Sequence, residues 1–399
     1  MGVDDLYYES LERGWDAPDK FVCADCVEDD FLRGLIEANL ASRKCTYCGR
    51  GSRGYIAAPV ESIMPAIFSA LHYYFNDPDS ACVPYDTGYV FEPTTTTEEA
   101  LYAISLKCQE DLFGDITGAF RNDLWTKTAD GHWAGTHYSD TMAYAWDRFV
   151  RTVKHECRYF FTSKVKVDKY SDELPPLAVL ATVREIIGHF ELFQFLPAGS
   201  DLFRVRARAH GESWELNAQE LGPPPNEKAN AGRMNPAGIS YFYLAHDSQT
   251  ALAEVIAKPP SSVVVASFRT CHEMLLLNLC NIPTAPSVFD DNRHEEREMI
   301  YFLRHFVREI SQPVAKNGQE HIDYVPSQVI SEYFAKEFRT TDGRPVNGLM
   351  YPSTVKPGGT NIVLFPPPEG HKGFTKFVEF VEAREIAMAN WNQLINQLS

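Results

Sequence analysis

An α+β fold, mainly helical in its first half and mixed in its second, is what this sequence of 399 residues predicts. Three observations carry the expectation. Between about residues 56 and 198, apolar residues recur at i, i+3/i+4 spacing, the period of helices that bury one face. From about residue 199, short β-branched and aromatic runs bounded by turn residues take over, as strands do. Helical patterns separate only some of these runs, which favours α+β over a regular βαβ alternation. The expected division is a cysteine-bearing segment 1–55, a helical domain 56–198, and a mixed domain 199–399.

The first segment is short, charged and too small to build its own core. It carries Cys23-Ala-Asp-Cys26 and Cys45-Thr-Tyr-Cys48, two C-x2-C pairs with eighteen residues between them. Two residues between cysteines let both thiolates reach one metal from a tight turn, and this spacing suits a four-cysteine zinc site. Four thiolates close a tetrahedron and leave no position for water or substrate, so Cys23, Cys26, Cys45 and Cys48 are expected to hold structural zinc. One pair alone would leave a redox dithiol open; two pairs argue against it. Gly49 after the second pair suits a chain reversal.

In the second zone the helical runs are Ala66–Phe75, Glu98–Phe113, Asp140–His155 and Leu177–Phe195. Pro65 suits the start of the first, and Thr94–Thr97 offers a hydroxyl cap for the second. Lys164–Pro176, polar and ending in Pro-Pro, reads as a connector. In the third zone the strand-like runs are Phe203–Arg208, Ser240–Ala245, Val263–Phe268, Met274–Leu279, Gly348–Ser353 and Asn361–Phe365. Helical patterns fall at Ser248–Lys258, Arg293–Ser311 and Ser327–Phe338, and again after Phe365 towards Ser399. Gly358-Gly359 is expected to turn a hairpin.

Bulk properties narrow the function. With 37 basic and 54 acidic residues the formal net charge is −17, which argues against nucleic acid as a partner, since that needs a basic face. No apolar run reaches the length of a membrane span, and the acidic start lacks the pattern of a signal peptide, so a cytoplasmic location is expected. The remaining cysteines, Cys82, Cys108, Cys157, Cys271 and Cys280, are scattered and, in a reducing compartment, are expected to be buried small apolar residues and not disulfides. Neither a G-x(4)-GK[ST] loop nor a G-x-G-x-x-G turn occurs, which disfavours ATP hydrolysis and hydride transfer.

Arg148 and His155, with six residues between them, resemble the Arg-x(4–6)-His signature of HEPN domains, helical modules that include metal-independent ribonucleases. The plainer reading of the same residues is a surface arginine and a capping histidine on a helix whose apolar face is Trp146, Phe149 and Val153. Both stay open.

A more specific order of motifs follows. Leu202-Phe203-Arg204-Val205-Arg206-Ala207-Arg208 precedes Gly232-Arg233-Met234-Asn235-Pro236-Ala237-Gly238. Tyr241-Phe242-Tyr243-Leu244-Ala245 and Thr250-Ala251-Leu252-Ala253-Glu254-Val255 come next, and Tyr324-Val325-Pro326-Ser327-Gln328 later. This order resembles the RES domain, over about residues 200 to 370, with the zones before it similar to the zinc-bearing HEPN-like regions that accompany some RES domains. The resemblance implies an ADP-ribosyltransferase-like fold, NAD as substrate, and membership of a family that includes toxins of toxin–antitoxin pairs.

Each residue so implied must also make chemical sense. Arg204 shares a strand face with Arg206 and Arg208, and an arginine fork suits the phosphates of NAD. Arg233, in a glycine-bracketed turn, could add a second phosphate or ribose contact. Tyr243 offers a ring for nicotinamide, with Tyr241 in reserve. Breaking the nicotinamide–ribose bond builds positive charge on the ribose, which a fixed carboxylate stabilises; Glu254 is the residue implied. Ser327 best matches the family serine and also suits a helix N-cap, while Ser353, in Tyr351-Pro352-Ser353-Thr354, is its rival. The expectation is an NAD-consuming enzyme, a glycohydrolase, phosphorylase or ADP-ribosyltransferase, with Glu254, Arg204 and Ser327 catalytic, Arg204, Arg233, Tyr243, Ser327 and Ser353 holding NAD, and an inhibitory antitoxin or a second copy as partner. The alternatives are a HEPN ribonuclease with a degenerate RES domain, and a module that binds NAD or a partner without turnover.

Overall fold

A computed structural model of the chain describes residues 13–85, 88, 93–160, 175–208, 211–255, 262–312, 318–367 and 370–387. It divides into two units, Met1–Thr141 with Thr284–Tyr301, and Met142–Pro283 with Phe302–Ser399.

The first unit is built from strands β1 (Phe21–Val22) and β2 (Ala58–Pro59), helices α1 (Asp30–Ala38) and α2 (Met64–Tyr74), and the elements that follow them. Asp29 caps α1 by accepting from the backbone N–H groups of Phe31 and Leu32, and the helix buries Leu32 and Ile36, one turn apart. Pro65 stands in the first turn of α2, as expected, and Met64, Ile67 and Leu71 are buried. Strand β3 (Phe75–Asn76) follows, then β4 (Thr95–Thr96) and α3 (Thr97–Ala103), whose cap is a reciprocal Thr96–Glu99 box. The expected helix Glu98–Phe113 is therefore two: α3 stops, Ser105 takes a left-handed φ of 62°, and α4 (Glu110–Ala119) starts under a Gln109 cap. Both helices bury residues on the same periodicity, which hides the break in the sequence. Strand β5 (Leu124–Lys127) pairs with β3 and β4. Trp15, Ile36, Ile67, Leu101, Ile116 and Trp125 lie in this unit's core.

Helix α5 (Tyr138–Arg151) buries Met142, Ala145, Trp146 and Phe149, and runs on as one wider turn, Thr152–Glu156. Most of the expected connector Lys164–Pro176 falls outside the described residues. Helix α6 (Pro176–His189) is shorter than the expected Leu177–Phe195. Glu191 takes a φ of 48°, and Phe193–Leu196 becomes strand β6, whose backbone finds partners on the strand Met274–Asn278.

The second unit centres on a sheet of eight strands, adding β7 (Asp201–Arg208), β8 (Phe242–Ala245), β9 (Ser262–Thr270), β10 (Met274–Asn278), β11 (Gly348–Pro352), β12 (Thr360–Leu364) and β13 (Val378–Ala387). The order is β13-β9-β7-β8-β12-β11-β10-β6, antiparallel except for β10 beside β11. The helical pattern expected after Phe365 gives instead a 3₁₀ turn, Gly370–Lys376, and then β13. Pairing with β9 from Val378↔Thr270 to Ala387↔Ser262 supplies backbone hydrogen bonds that override the local pattern. Residues 388–399 lie outside the described residues. Helices α7 (Ala218–Leu221), α8 (Ser248–Ala253), α9 (His294–Ser311), α10 (Glu320–Asp323) and α11 (Val325–Lys336) complete the elements. The fold is α+β, as predicted.

Register settles which side chains share a face. Phe203 is opposite Ala245, Ala245 opposite Asn361, and Asn361 opposite Tyr351, one row across four strands. Side chains alternate along a strand, so Tyr243, Asn361 and Tyr351 share one face, while Arg204, Arg206 and Phe242 share the other. Apolar packing follows the same parity: Leu202, Phe242, Ala266 and Ile362 are in one cluster, Val205, Ala245, Ala251 and Val265 in another. No helix among the described residues is long and apolar enough to cross a membrane.

Candidate active site and metal centre

The four cysteines of the first segment converge. Sulfur–sulfur distances are 3.7 Å for Cys23–Cys26, 3.5 Å for Cys23–Cys48 and 3.6 Å for Cys26–Cys45, and all four sulfurs lie within 4.8 Å of one another. A tetrahedron with zinc–sulfur bonds of 2.3 Å has edges of about 3.8 Å, so the donor set fits such an ion. Burial and the neighbouring thiols push Cys23 up to about 11. Burial acts the same way on Cys45, but N–H groups of Cys48, Cys23 and Tyr47 aimed at its sulfur outweigh it and lower the thiol to about 7. Those donors favour a thiolate, the form that binds metal. Gly49 turns the chain with a φ of 70°. Tyr47 donates to Asp115 on α4 at 2.8 Å, and Lys20 reaches the same carboxylate at 2.6 Å, tying the second pair to a helix.

In the second unit Glu254 stands at the C-terminal end of α8, exposed. Its Oε1 accepts from Ser353 Oγ at 2.8 Å and from Asn361 Nδ2 at 2.7 Å. Both donors are buried. Ser353 Oγ in turn accepts from the Lys356 N–H at 3.2 Å, and Lys356 Nζ reaches Asp247 at 3.3 Å and Gln249 at 3.1 Å. Asp247 caps α8 by accepting from Thr250 N–H at 2.7 Å, so the β11–β12 loop grips both ends of the short helix. Gly358 in that loop has a φ of 76°, as its expected hairpin role needs.

Arg233, Tyr243 and Ser327 meet at the turn Gly232–Asn235. Tyr243 OH accepts from Met234 N–H at 2.9 Å and donates to Asn235 Oδ1 at 2.7 Å. Burial pushes this phenol far above its ordinary range, so it keeps its proton. A Cβ on Gly232 would come within 2.6 Å of Asn235 Oδ1 and 2.7 Å of Tyr243 OH, so close approach requires glycine there. Ser327 Oγ donates to the carbonyls of Arg233 at 2.6 Å and Tyr324 at 3.0 Å; it lies inside the first turn of α11 and caps nothing. The cap expectation fails because the helix begins two residues earlier, at Val325. Gln328 Nε2 donates to the carbonyls of Gly232 at 2.8 Å and Asn235 at 2.9 Å. The Arg233 guanidinium lies 5.9 Å from the centre of the Tyr351 ring and donates to Ser311 O at 2.6 Å.

Arg204 projects from the opposite face. Its Nη1 donates to the carbonyls of Leu221 at 3.2 Å and Gly222 at 2.6 Å, and its guanidinium sits 5.4 Å from the centre of the Phe242 ring. Burial and then the positive charge of Arg206 lower it to about 10. Arg206 donates to Glu220 O and stacks on Trp214 at 4.7 Å, while Arg208 is paired with Glu385 at 2.5 Å. Strands β7 and β8 share a single residue pair, Phe203↔Ala245. Where they diverge, a cleft of about 1000 Å³ is lined by Arg204, Arg206, Phe242, Tyr243, Gly232 and Asn235, among others. Glu254, Arg233, Ser327 and Ser353 are not among its lining residues. The structure thus groups Glu254 with Ser353, joins Arg233 and Ser327 to Tyr243 through the turn, and connects Arg204 to Tyr243 only through the cleft.

In α5 and the turn after it, Trp146, Phe149 and Val153 are buried, and His155 is exposed. Lys154 is less solvated than its charge suggests, pairing with Asp323 at 2.8 Å.

Family models match residues 38–167 as HEPN/RES N-terminal domain 1 and residues 201–379 as a RES domain. The chain carries a RES domain. No curated protein matches the chain. The RES domain begins with the first residue of β7 and ends inside β13, so it contains Arg204, Arg233, Tyr243, Glu254, Ser327 and Ser353. The N-terminal match contains Cys45, Cys48, Arg148 and His155 and begins after Cys23 and Cys26. Within the RES domain the sequence reading passed over Asn361, Gln328 and Asn235. A signal for Asn361 was present: a lone amide among buried apolar residues of a strand.

Proposed function

We propose that the RES domain binds NAD and breaks its nicotinamide–ribose bond, nicotinamide leaving with the bonding pair while the anomeric carbon bonds to an acceptor: water, inorganic phosphate or a protein side chain. The observation that carries this reading is the paired-donor hold on Glu254, an exposed carboxylate fixed by two buried side chains. Departure of nicotinamide leaves an oxocarbenium-like ribose, and a pre-set carboxylate stabilises that charge without reorganising. The cleft between β7 and β8 supports the binding half of the reading. Arg204 and Arg206 supply charge for the pyrophosphate, and Phe242 with its neighbours supplies apolar surface for a base. Tyr243 lines the cleft together with Gly232 and Asn235 of the turn to which its hydroxyl is bonded. Its hydroxyl is already engaged, so the ring is what it offers a nicotinamide. Ser327 acts through the Gly232–Asn235 turn, and Ser353 through Glu254.

The four cysteines would hold zinc, which would supply structure to the first segment and no open coordination position. A chain that drains NAD would harm its host, so an inhibitory protein partner belongs to the same reading. The test is free nicotinamide released from NAD by the purified chain. Release that falls by orders of magnitude in Glu254→Ala is expected; an inactive wild type, or an unaffected variant, refutes the proposal.

A further inference from the structure

We infer that Asn361, acting with Ser353, is a positioning residue for Glu254, fixing one carboxylate oxygen so that the other is presented to the ribose. The inference rests on the reading of Glu254 given above. Asn361 lies within β12, where Ile362, Val363 and Leu364 are fully buried. Its cross-strand neighbours in the row are Ala245 and Tyr351. A primary amide only 5% exposed in a central strand is unfavourable unless its polar atoms are matched. Its Nδ2 is matched by Glu254 Oε1 at 2.7 Å.

The asymmetry is the telling feature. Ser353 Oγ donates to the same Oε1 at 2.8 Å, so two donors use the lone pairs of one oxygen. Oε2 takes no hydrogen bond among the described residues. A freely rotating carboxylate would offer either oxygen; two donors on Oε1 leave Oε2 as the acceptor for a ribose hydroxyl and the bearer of the stabilising charge. Helix α8 cannot impose this itself, because Glu254 is at its end and exposed. The restraint comes from across the sheet, through a strand and a loop that fold independently of substrate.

Initial rates of nicotinamide release by the full chain, at varied NAD, test the inference. Asn361→Ala and Ser353→Ala should each lower kcat about tenfold or more, with KM changed by less than about twofold, because orientation of the carboxylate and not binding is lost. Asn361→Asp, nearly the same shape, replaces the donor by a like charge and should fall below Asn361→Ala. Ser353→Thr keeps a hydroxyl donor and should retain most of the rate. A wild-type kcat in Asn361→Ala, a loss confined to KM, or equal losses in Ser353→Thr and Ser353→Ala would overturn the inference while Glu254 keeps its role. A wild type that releases no nicotinamide overturns the functional reading itself. Circular dichroism of each variant separates loss of orientation from loss of fold, and the Ser353 pair, in a loop, decides the matter if Asn361→Ala does not fold.

Discussion

At Tyr243 the two ends of one side chain do different things. The hydroxyl bridges Met234 N–H and Asn235 Oδ1, and the residue also lines the cleft, where the proposed function gives its ring to nicotinamide. Tyr243→Phe strands two buried polar partners, which should cost about 1–3 kcal/mol of stability, read as a lower melting temperature, while KM for NAD rises little. Tyr243→Ala removes the ring as well and should raise KM several-fold further. Equal KM values in the two variants would end the role given to the ring. Arg204 allows a complementary test. Because its folded value is lowered to about 10, the buried charge destabilises the fold at all lower pH and stops doing so as pH rises above that value. An anion in the cleft offsets that penalty at neutral pH. ADP-ribose at about a hundred times its Kd should therefore stabilise the wild type by about 2.7 kcal/mol, and Arg204→Ala much less. An equal thermal shift in both proteins would remove Arg204 from the binding surface. At this scale the order of the motifs made Glu254, Tyr243 and Arg233 legible as candidates. Which serine meets Glu254 was not, because Ser353 and Glu254 are brought together only by pairing across β8, β12 and β11.

At the scale of elements, patterning identified most of the sheet, since β7, β9, β10, β11 and β12 each begin within two residues of the expected run. Helices α9 and α11 were equally plain. The failures have a common cause. The early stop of α6 and the strand β13 are decided by strand partners distant in sequence, and the chain just after the break at Ser105 pairs with residues 26–28; the apolar period continues through each of them. The cysteine segment is the opposite case, where local spacing was sufficient. Three of its sulfur–sulfur distances, 3.5, 3.6 and 3.7 Å, are near the edge length of a zinc tetrahedron, and Val22, Val27, Leu32 and Ile36 are buried in the same segment. Elemental analysis should find about one zinc per chain, and a strong chelator should lower the melting temperature and open residues 20–60 to protease. Cys45→Ser should do the same without chelator. Metal-free protein that melts where the loaded protein does would show the cluster to be packed thiols.

For the whole molecule the strongest single quantity is the net charge of −17. NAD is itself an anion, so under the proposed function the long-range field would oppose its approach, while Arg204 and Arg206 would attract it at contact. The two effects respond differently to salt. The Debye length is about 10 Å at 0.1 M, so the distant carboxylates are screened first and arginines in direct contact with phosphate least. Raising ionic strength from about 10 to 150 mM should therefore leave kcat unchanged and raise kcat/KM modestly, by up to a few-fold. A steep fall in kcat/KM would mean that exposed basic charge gathers the substrate, which the cleft as described does not provide. The same field bears on the ribonuclease alternative. The chain is acidic overall, and beside exposed His155 two cations are already paired, Lys154 with Asp323 and Arg151 with Glu156, which disfavours a phosphate backbone there. His155→Ala should therefore leave nicotinamide release intact, and the wild type should leave a labelled RNA uncut at physiological salt. RNA cleavage lost on that substitution would move the activity out of the RES domain altogether.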